Sequence, residues 1–179
     1  PQAILKHKGI IANPNCSTII MVMALKPIYD LAKIKRVIVS TYQAVSGAGK
    51  EGIDELDAQV RDHSEGREMT ANILPSASAE KHYPIAFNLI PQIDVFCDNL
   101  YTKEEMKMVN ETKKIMEDYE MRITATTIRV PVYRSHSESV NIELEKEVDL
   151  GAMREALAKF PGVTVQDDPS KQEYPMPLY

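Results

Sequence analysis

One junction constrains the front of this chain more than any other feature. Gly9-Ile10-Ile11-Ala12 reads as an apolar strand, and the residues from Ile19 read as a helix. Asn13-Pro14-Asn15-Cys16-Ser17-Thr18 lies between them, so its thiol stands at or near a helix start. Unpaired N–H groups and the positive end of the helix dipole favour a thiolate there. A free thiol titrates at about 8.5, so such a setting changes how much nucleophile is present at neutral pH. A buried, inert cysteine is the bland alternative. The Asn, Pro and Ser/Thr punctuation favours the nucleophile.

The chain has 179 residues, enough for one full-sized domain or a little more. Its apolar fraction of 44% suits a globular core. A formal net charge of −5 argues against a nucleic-acid or anionic-membrane partner. No apolar run approaches the roughly 20 residues that span a bilayer. The 2 cysteines, Cys16 and Cys97, do not form a secreted disulfide framework, and a reducing cytoplasm is expected. The triplets Asn15-Cys16-Ser17 and Asn110-Glu111-Thr112 are read as chance matches to a glycosylation site. The start at Pro1 and the tail Tyr174-Pro175-Met176-Pro177-Leu178-Tyr179 suggest a piece of a longer enzyme.

Beyond Cys16, Ile19, Ile20, Met23 and Ile28 share a helical face, and Pro27 is expected to end or kink that helix near Lys26. A mostly buried strand is expected over 34–45, then a turn at Ser46-Gly47-Ala48-Gly49 and an amphipathic helix over 51–63. The stretch 64–99, broken by Pro75, Pro84 and Pro91, reads as a long irregular loop. Thr102 and Glu105 form a capping box for a helix reaching about Glu117. Strands over 123–132 and 140–144 look hairpin-like. Asp149 caps a last helix to about Lys159, and 163–165 reads as a short strand. The fold class expected is α/β (α+β) with a mixed sheet.

Several residues then stand out chemically. Gly47-Ala48-Gly49-Lys50-Glu51-Gly52 fits G-x-G-x-x-G, but no second strand with an acidic ribose ligand follows, so a dinucleotide fingerprint is disfavoured. Backbone N–H groups there can still approach a ligand closely. His136, between two serines at a strand junction, is the best candidate base, against the plainer reading of a surface histidine. His7, His63 and His82 have no better claim, and no His/Cys spacing suits a metal. Arg129, in an apolar strand, needs an anionic partner: a salt bridge, or a substrate carboxylate held in its planar fork. Glu104 and Lys107 share a helix face, and a surface pair is the default for them. Gln43 lies near the end of a buried strand, where sites are built in α/β folds.

These segments together resemble aspartate-semialdehyde dehydrogenase. The resemblance rests on Asn13-Pro14-Asn15-Cys16-Ser17-Thr18, Thr41-Tyr42-Gln43-Ala44-Val45-Ser46-Gly47-Ala48-Gly49, Glu104-Glu105-Met106-Lys107, and Arg129-Val130-Pro131-Val132 with Ser135-His136-Ser137-Glu138-Ser139. It covers essentially the whole chain, in order. It implies the catalytic and dimerisation domain over 1–179, without the nucleotide-binding domain and closing helix. The implied fold has a largely antiparallel mixed sheet with helices on one face, as in glyceraldehyde-3-phosphate-dehydrogenase-type enzymes. The implied roles are Cys16 as nucleophile, His136 as acid/base group and Gln43 to position substrate and thiol. Arg129 would hold the substrate carboxylate, Glu104 its ammonium group and Lys107 a phosphate, with Ser46 and Gly47 near the nicotinamide end of NADP. A homodimer, or a tetramer of the full-length enzyme, follows from the same resemblance. The 179-residue chain alone is expected not to hold NADP tightly or turn over. Alternatives are an N-acetyl-gamma-glutamyl-phosphate reductase-like enzyme, a cysteine hydrolase built on Cys16 and His136, and a non-catalytic dimerisation module.

Overall fold

A computed structural model describes residues 2–178. Helix α1 spans Cys16–Leu31 and strand β1 spans Ile34–Gln43. A 3-10 turn over Val45–Ala48 leads into α2, Gly49–Ser64. An irregular stretch follows, as its prolines suggested. Then come α3 (Lys103–Met116), β2 (Arg122–Arg129), β3 (Ser137–Leu144) and α4 (Leu150–Lys159).

The three strands form one sheet in the order β2-β1-β3. β1 runs parallel to β2, with Gln43 opposite Arg129, and antiparallel to β3, with Thr41 opposite Glu138. The sheet is therefore mixed, as expected, with one pairing of each kind. The late strands do not form a hairpin: β1 separates them. Parallel pairing requires a long crossover, and here it passes through α2, the irregular stretch and α3. Two further strands expected from sequence are not formed. Residues 9–12 and 163–165 have no neighbouring strand to take their backbone hydrogen bonds, and Ile10 stays 89% exposed. The Pro-containing tail has no regular structure up to Leu178, and Pro1 and Tyr179 lie outside the described residues.

α1 begins at Cys16 itself and runs through Pro27 without ending. A proline in a helix interior costs about 3 kcal/mol. Burial of Met21 and Leu25 on the same helix offsets it, at about 1.5–3 kcal/mol for each large side chain. Those two join Ile34, Val37, Val39, Met108, Met116, Met121 and Ala125 in one core between the sheet, α1 and α3. A second cluster of Val45, Leu56, Leu74, Ile85, Ala86 and Ile90 holds α2 to the irregular stretch. Gln59 is fully buried there and accepts from the N–H groups of Ile85 (2.8 Å) and Ala86 (3.0 Å), which anchors a segment without secondary structure of its own. Among the described residues, no helix is long and apolar enough to cross a membrane.

Candidate active site

The site is assembled at one end of the parallel pair, where β1 and β2 both finish. Asn15 caps α1: its side-chain oxygen accepts from the N–H groups of Ser17 (3.0 Å) and Thr18 (3.1 Å). That cap fixes Cys16 as the first helical residue, with its thiol exposed.

Helix α3 then ties this helix start to the sheet. Glu104 Oε1 accepts from Asn15 Nδ2 (2.8 Å) and from Gln43 Nε2 (3.3 Å). Glu111 Oε2 accepts from the Asn15 N–H (2.7 Å). Glu105 completes the expected capping box with Thr102, and its other oxygen accepts from the Thr127 N–H (3.1 Å). Glu104 is therefore not half of a surface pair. It is 5% exposed, although Lys107 does lie 3.6 Å away and also reaches Asp94 at 3.3 Å. Burial lowers the Lys107 pKa, but Glu104 and Asp94 outweigh it and hold the ammonium above its ordinary range. The helix period carried the missing signal: Glu104 falls in line with Met108, Glu111 and Thr112, and Met108 and Thr112 are buried.

Ala44 is the second hub. Its carbonyl accepts from Arg129 Nη1 (2.7 Å), and its N–H donates to His136 Nδ1 (3.0 Å). With Nδ1 accepting, a neutral His136 ring carries its proton on Nε2. The segment after β2 keeps these groups together: Val130, Val45 and Ser46 N–H donate to the carbonyls of Gln43, Val132 and Tyr133. Arg129 is 3% exposed, and its Nε has no partner. Desolvation lowers its pKa, while Glu104 and Cys16 nearby oppose that shift. Burial, then Arg129, lowers the His136 pKa, with Glu104 pulling the other way. The imidazole is thus neutral near pH 7.

The glycines of Gly47-Ala48-Gly49-Lys50-Glu51-Gly52 have local reasons to be there. A Cβ on Gly47 would stand 2.5 Å from Arg129 Nη1, and one on Gly52 would stand 2.6 Å from the Val45 carbonyl oxygen. Gly47 therefore lets the chain close over the guanidinium, and Gly52 seats α2 against the turn. Ser46 and Gly47 lie at this same rim, beside Arg129. Among the described residues, no cluster of His, Cys, Asp or Glu could hold a metal ion.

All eight residues singled out from sequence belong to this neighbourhood: Cys16, Gln43, Ser46, Gly47, Glu104, Lys107, Arg129 and His136. Sequence reasoning missed Asn15 as the link between thiol and carboxylate, and Ala44 as the link between guanidinium and imidazole.

Similarity to known proteins identifies the family. The family described as semialdehyde dehydrogenase, dimerisation domain, matches residues 25–179. The aspartate-semialdehyde dehydrogenase of Aquifex aeolicus is 56% identical over 173 residues, which cover 97% of this chain and 49% of that protein. That of Bacillus subtilis is 54% identical, covering 96% of this chain and 50% of that protein. A crystal structure of aspartate semialdehyde dehydrogenase II from Vibrio cholerae, complexed with ASA, superposes with a TM-score of 0.81 at 48% identity, covering 89% of this chain and 46% of that one. The chain spans about half the length of the curated relatives it matches. It belongs to the aspartate-semialdehyde dehydrogenase family and matches that family's dimerisation domain over most of its length.

Proposed function

We propose that this chain is the catalytic and dimerisation portion of an NADP-dependent aspartate-semialdehyde dehydrogenase, acting in the cytoplasm in amino-acid biosynthesis (lysine, methionine and threonine). One observation carries the reading: two residues, Glu104 and Ala44, hold the Cys16 helix start, Gln43, Arg129 and His136 in a single cluster. Its substrate would be aspartyl phosphate, with phosphate as product.

The steps follow from the groups present. The Cys16 thiolate attacks the acyl carbon, and the carbonyl π electrons move to oxygen. That oxyanion needs donors. The Nε2–H of neutral His136 and the Cys16 N–H suit the role, since the Ser17 and Thr18 N–H groups are taken by the Asn15 cap. The oxyanion re-forms the carbonyl, the bond to the phosphate oxygen breaks, and a thioester remains on Cys16. Arg129 faces the substrate carboxylate as a buried planar fork, and orienting a small charged substrate in this way lowers the entropic part of the barrier. Glu104 holds the ammonium group and Lys107 the phosphate. Gln43, fixed between Thr41 and Glu104, positions the thiol and the acyl group.

A nicotinamide would approach the site at the rim formed by Ser46 and Gly47. Gly47 is exposed there and brings bare backbone against the Arg129 guanidinium. NADPH, when bound, supplies the hydride that reduces the thioester to the aldehyde level. Collapse then returns the sulfur as thiolate. We also infer a homodimer, formed through the sheet face that α1 and α3 leave open, where Ile38 (37%) and Tyr42 (42%) are exposed.

Mass spectrometry after mixing the chain with aspartyl phosphate tests the reading. An aspartyl thioester on the Cys16 peptide, absent from a Cys16→Ser variant, is expected. An adduct found equally on Cys97, or none at all, refutes it.

A further inference from the structure

Two polar rows cross the core-facing side of the sheet. The upper row is Arg129, Gln43 and His136: Gln43 pairs with Arg129 in register, and His136 is tied to Ala44. The lower row lies two residues back along each strand, where Thr41 pairs with Thr127 on one side and Glu138 on the other. Directly paired residues share a face, with Cβ atoms about 5 Å apart. The two rows are joined, because Gln43 Nε2 donates to Thr41 Oγ1 at 3.2 Å. Below them the next row, Val39 and Ala125, is core hydrocarbon.

The lower row contains more polar capacity than it uses. Thr41 and Thr127 are fully buried. Thr127 Oγ1 and Glu138 Oε1 are both buried without a hydrogen-bond partner. An unsatisfied carboxyl at the border between a polar cluster and a hydrocarbon core needs a reason. β3 packs against β1 and α1, and neither their charged and titratable side chains, Lys35, Arg36, Cys16, Lys26 and Asp30, nor Arg129 and His136 of the upper row, bond Glu138 Oε1. Burial alone pushes the Glu138 carboxyl up to about 8. Near neutral pH it is mostly an acid with a proton to donate.

We propose that Glu138 is a positioning residue of the Cys16 site, acting from the lower row through Thr41 to fix the orientation of the Gln43 amide. The cross-strand spacing puts its carboxyl within one rotamer or one bridging water of Thr41 Oγ1. A hydroxyl that accepts a hydrogen bond from the Glu138 carboxyl O–H keeps a lone pair for Gln43 Nε2, and its own hydrogen is turned away from that amide. Loss of the proton reverses the demand: the carboxylate draws the Thr41 hydroxyl hydrogen to itself and the row reorganises. The role rests on the function proposed above, but its test does not.

The test follows the Gln43 side-chain amide by nitrogen-15 NMR as pH rises from about 6.5 to 9.5. A Cys16→Ser background removes the neighbouring thiol from the measurement. His136 titrates below it. The expected result is an inflection in the Gln43 amide shift near pH 8, lost in Glu138→Gln, which keeps a neutral donor. Glu138→Leu, if it folds, should displace the Gln43 signal at every pH. No inflection, an inflection that survives Glu138→Gln, or an unmoved signal in Glu138→Leu overturns the proposal. Failure of the functional reading shows elsewhere, as iodoacetamide labelling Cys16 no faster than Cys97 in the unsubstituted chain.

Discussion

Replacing Glu104 with alanine should damage this protein twice, in stability and in the reactivity of its thiol. The carboxylate accepts from Asn15 Nδ2 at 2.8 Å and from Gln43 Nε2 at 3.3 Å. Hydrogen bonds to charged groups contribute about 1.5–3 kcal/mol each, and the longer one belongs at or below the bottom of that range. Gln43 keeps Thr41 as a second acceptor. The Lys107 contact, 3.6 Å and half exposed, adds about 0–1 kcal/mol. Removing the carboxylate also relieves its own desolvation, which opposes these losses, while Arg129 loses a nearby anion. The net destabilisation is about 2–3 kcal/mol, or roughly 5–10 °C in Tm for a domain of this size. Urea unfolding measures it. Glu104→Gln keeps an acceptor oxygen facing Asn15 and should cost about 1 kcal/mol. Asn15 caps the helix that begins at Cys16, so iodoacetamide labelling of Cys16 should change with Glu104→Ala and change less with Glu104→Gln. A Glu104→Ala chain within about 0.5 kcal/mol of the original refutes the hub role. So does a Glu104→Gln chain as unstable as the alanine variant, since charge rather than acceptance would then be the cause.

Gly47→Ala should force the Arg129 guanidinium off the Ala44 carbonyl, at about 1–3 kcal/mol by urea unfolding, whereas Ala48→Gly, one residue on, should not disturb Arg129. Asn15→Ala should cost about 0.5–2 kcal/mol through loss of the α1 cap. Two titrations shape stability against pH. His136 has a folded pKa below its unfolded one, so the unfolded chain binds more protons and stability falls as pH drops through about 6.5. Glu138 has a folded pKa near 8, so the folded chain binds more protons and stability declines as pH rises from 4.5 towards 8. Glu138→Gln should abolish that decline, and chemical unfolding across pH checks both slopes. Tyr42→Glu on the open sheet face should convert a dimer to monomers by light scattering, with the far-ultraviolet circular dichroism unchanged.

Local signals gave up most of the elements but not their partners. The Thr102–Glu105 capping box, the β-branched run of β1 and the Asp149 cap are each settled within a few residues, and each is where the pattern put it. Cys16 was legible as a helix-start thiol for the same reason. The pairing of β2 with β1 was not legible, because 78 residues lie between Gln43, the last of β1, and Arg122, the first of β2, and nothing local specifies register across that gap. Two neighbouring strands with a short connection invite a hairpin reading, and here a third strand lies between them. The continuation of α1 past Pro27 was hidden similarly, since tertiary burial overrode local propensity. Glu104 was misread because its charge, taken alone, says surface, whereas its helical phase said interior.

The parallel pairing of β1 with β2 has a temporal consequence. Gln43 and Arg129 finish side by side only after the intervening crossover has been closed, and such long-range closure is entropically slow. Asn15 and Glu104 are likewise distant in the chain. A nascent chain therefore presents Cys16 as an ordinary thiol before its neighbours arrive, and chemical competence becomes a late reporter of complete topology.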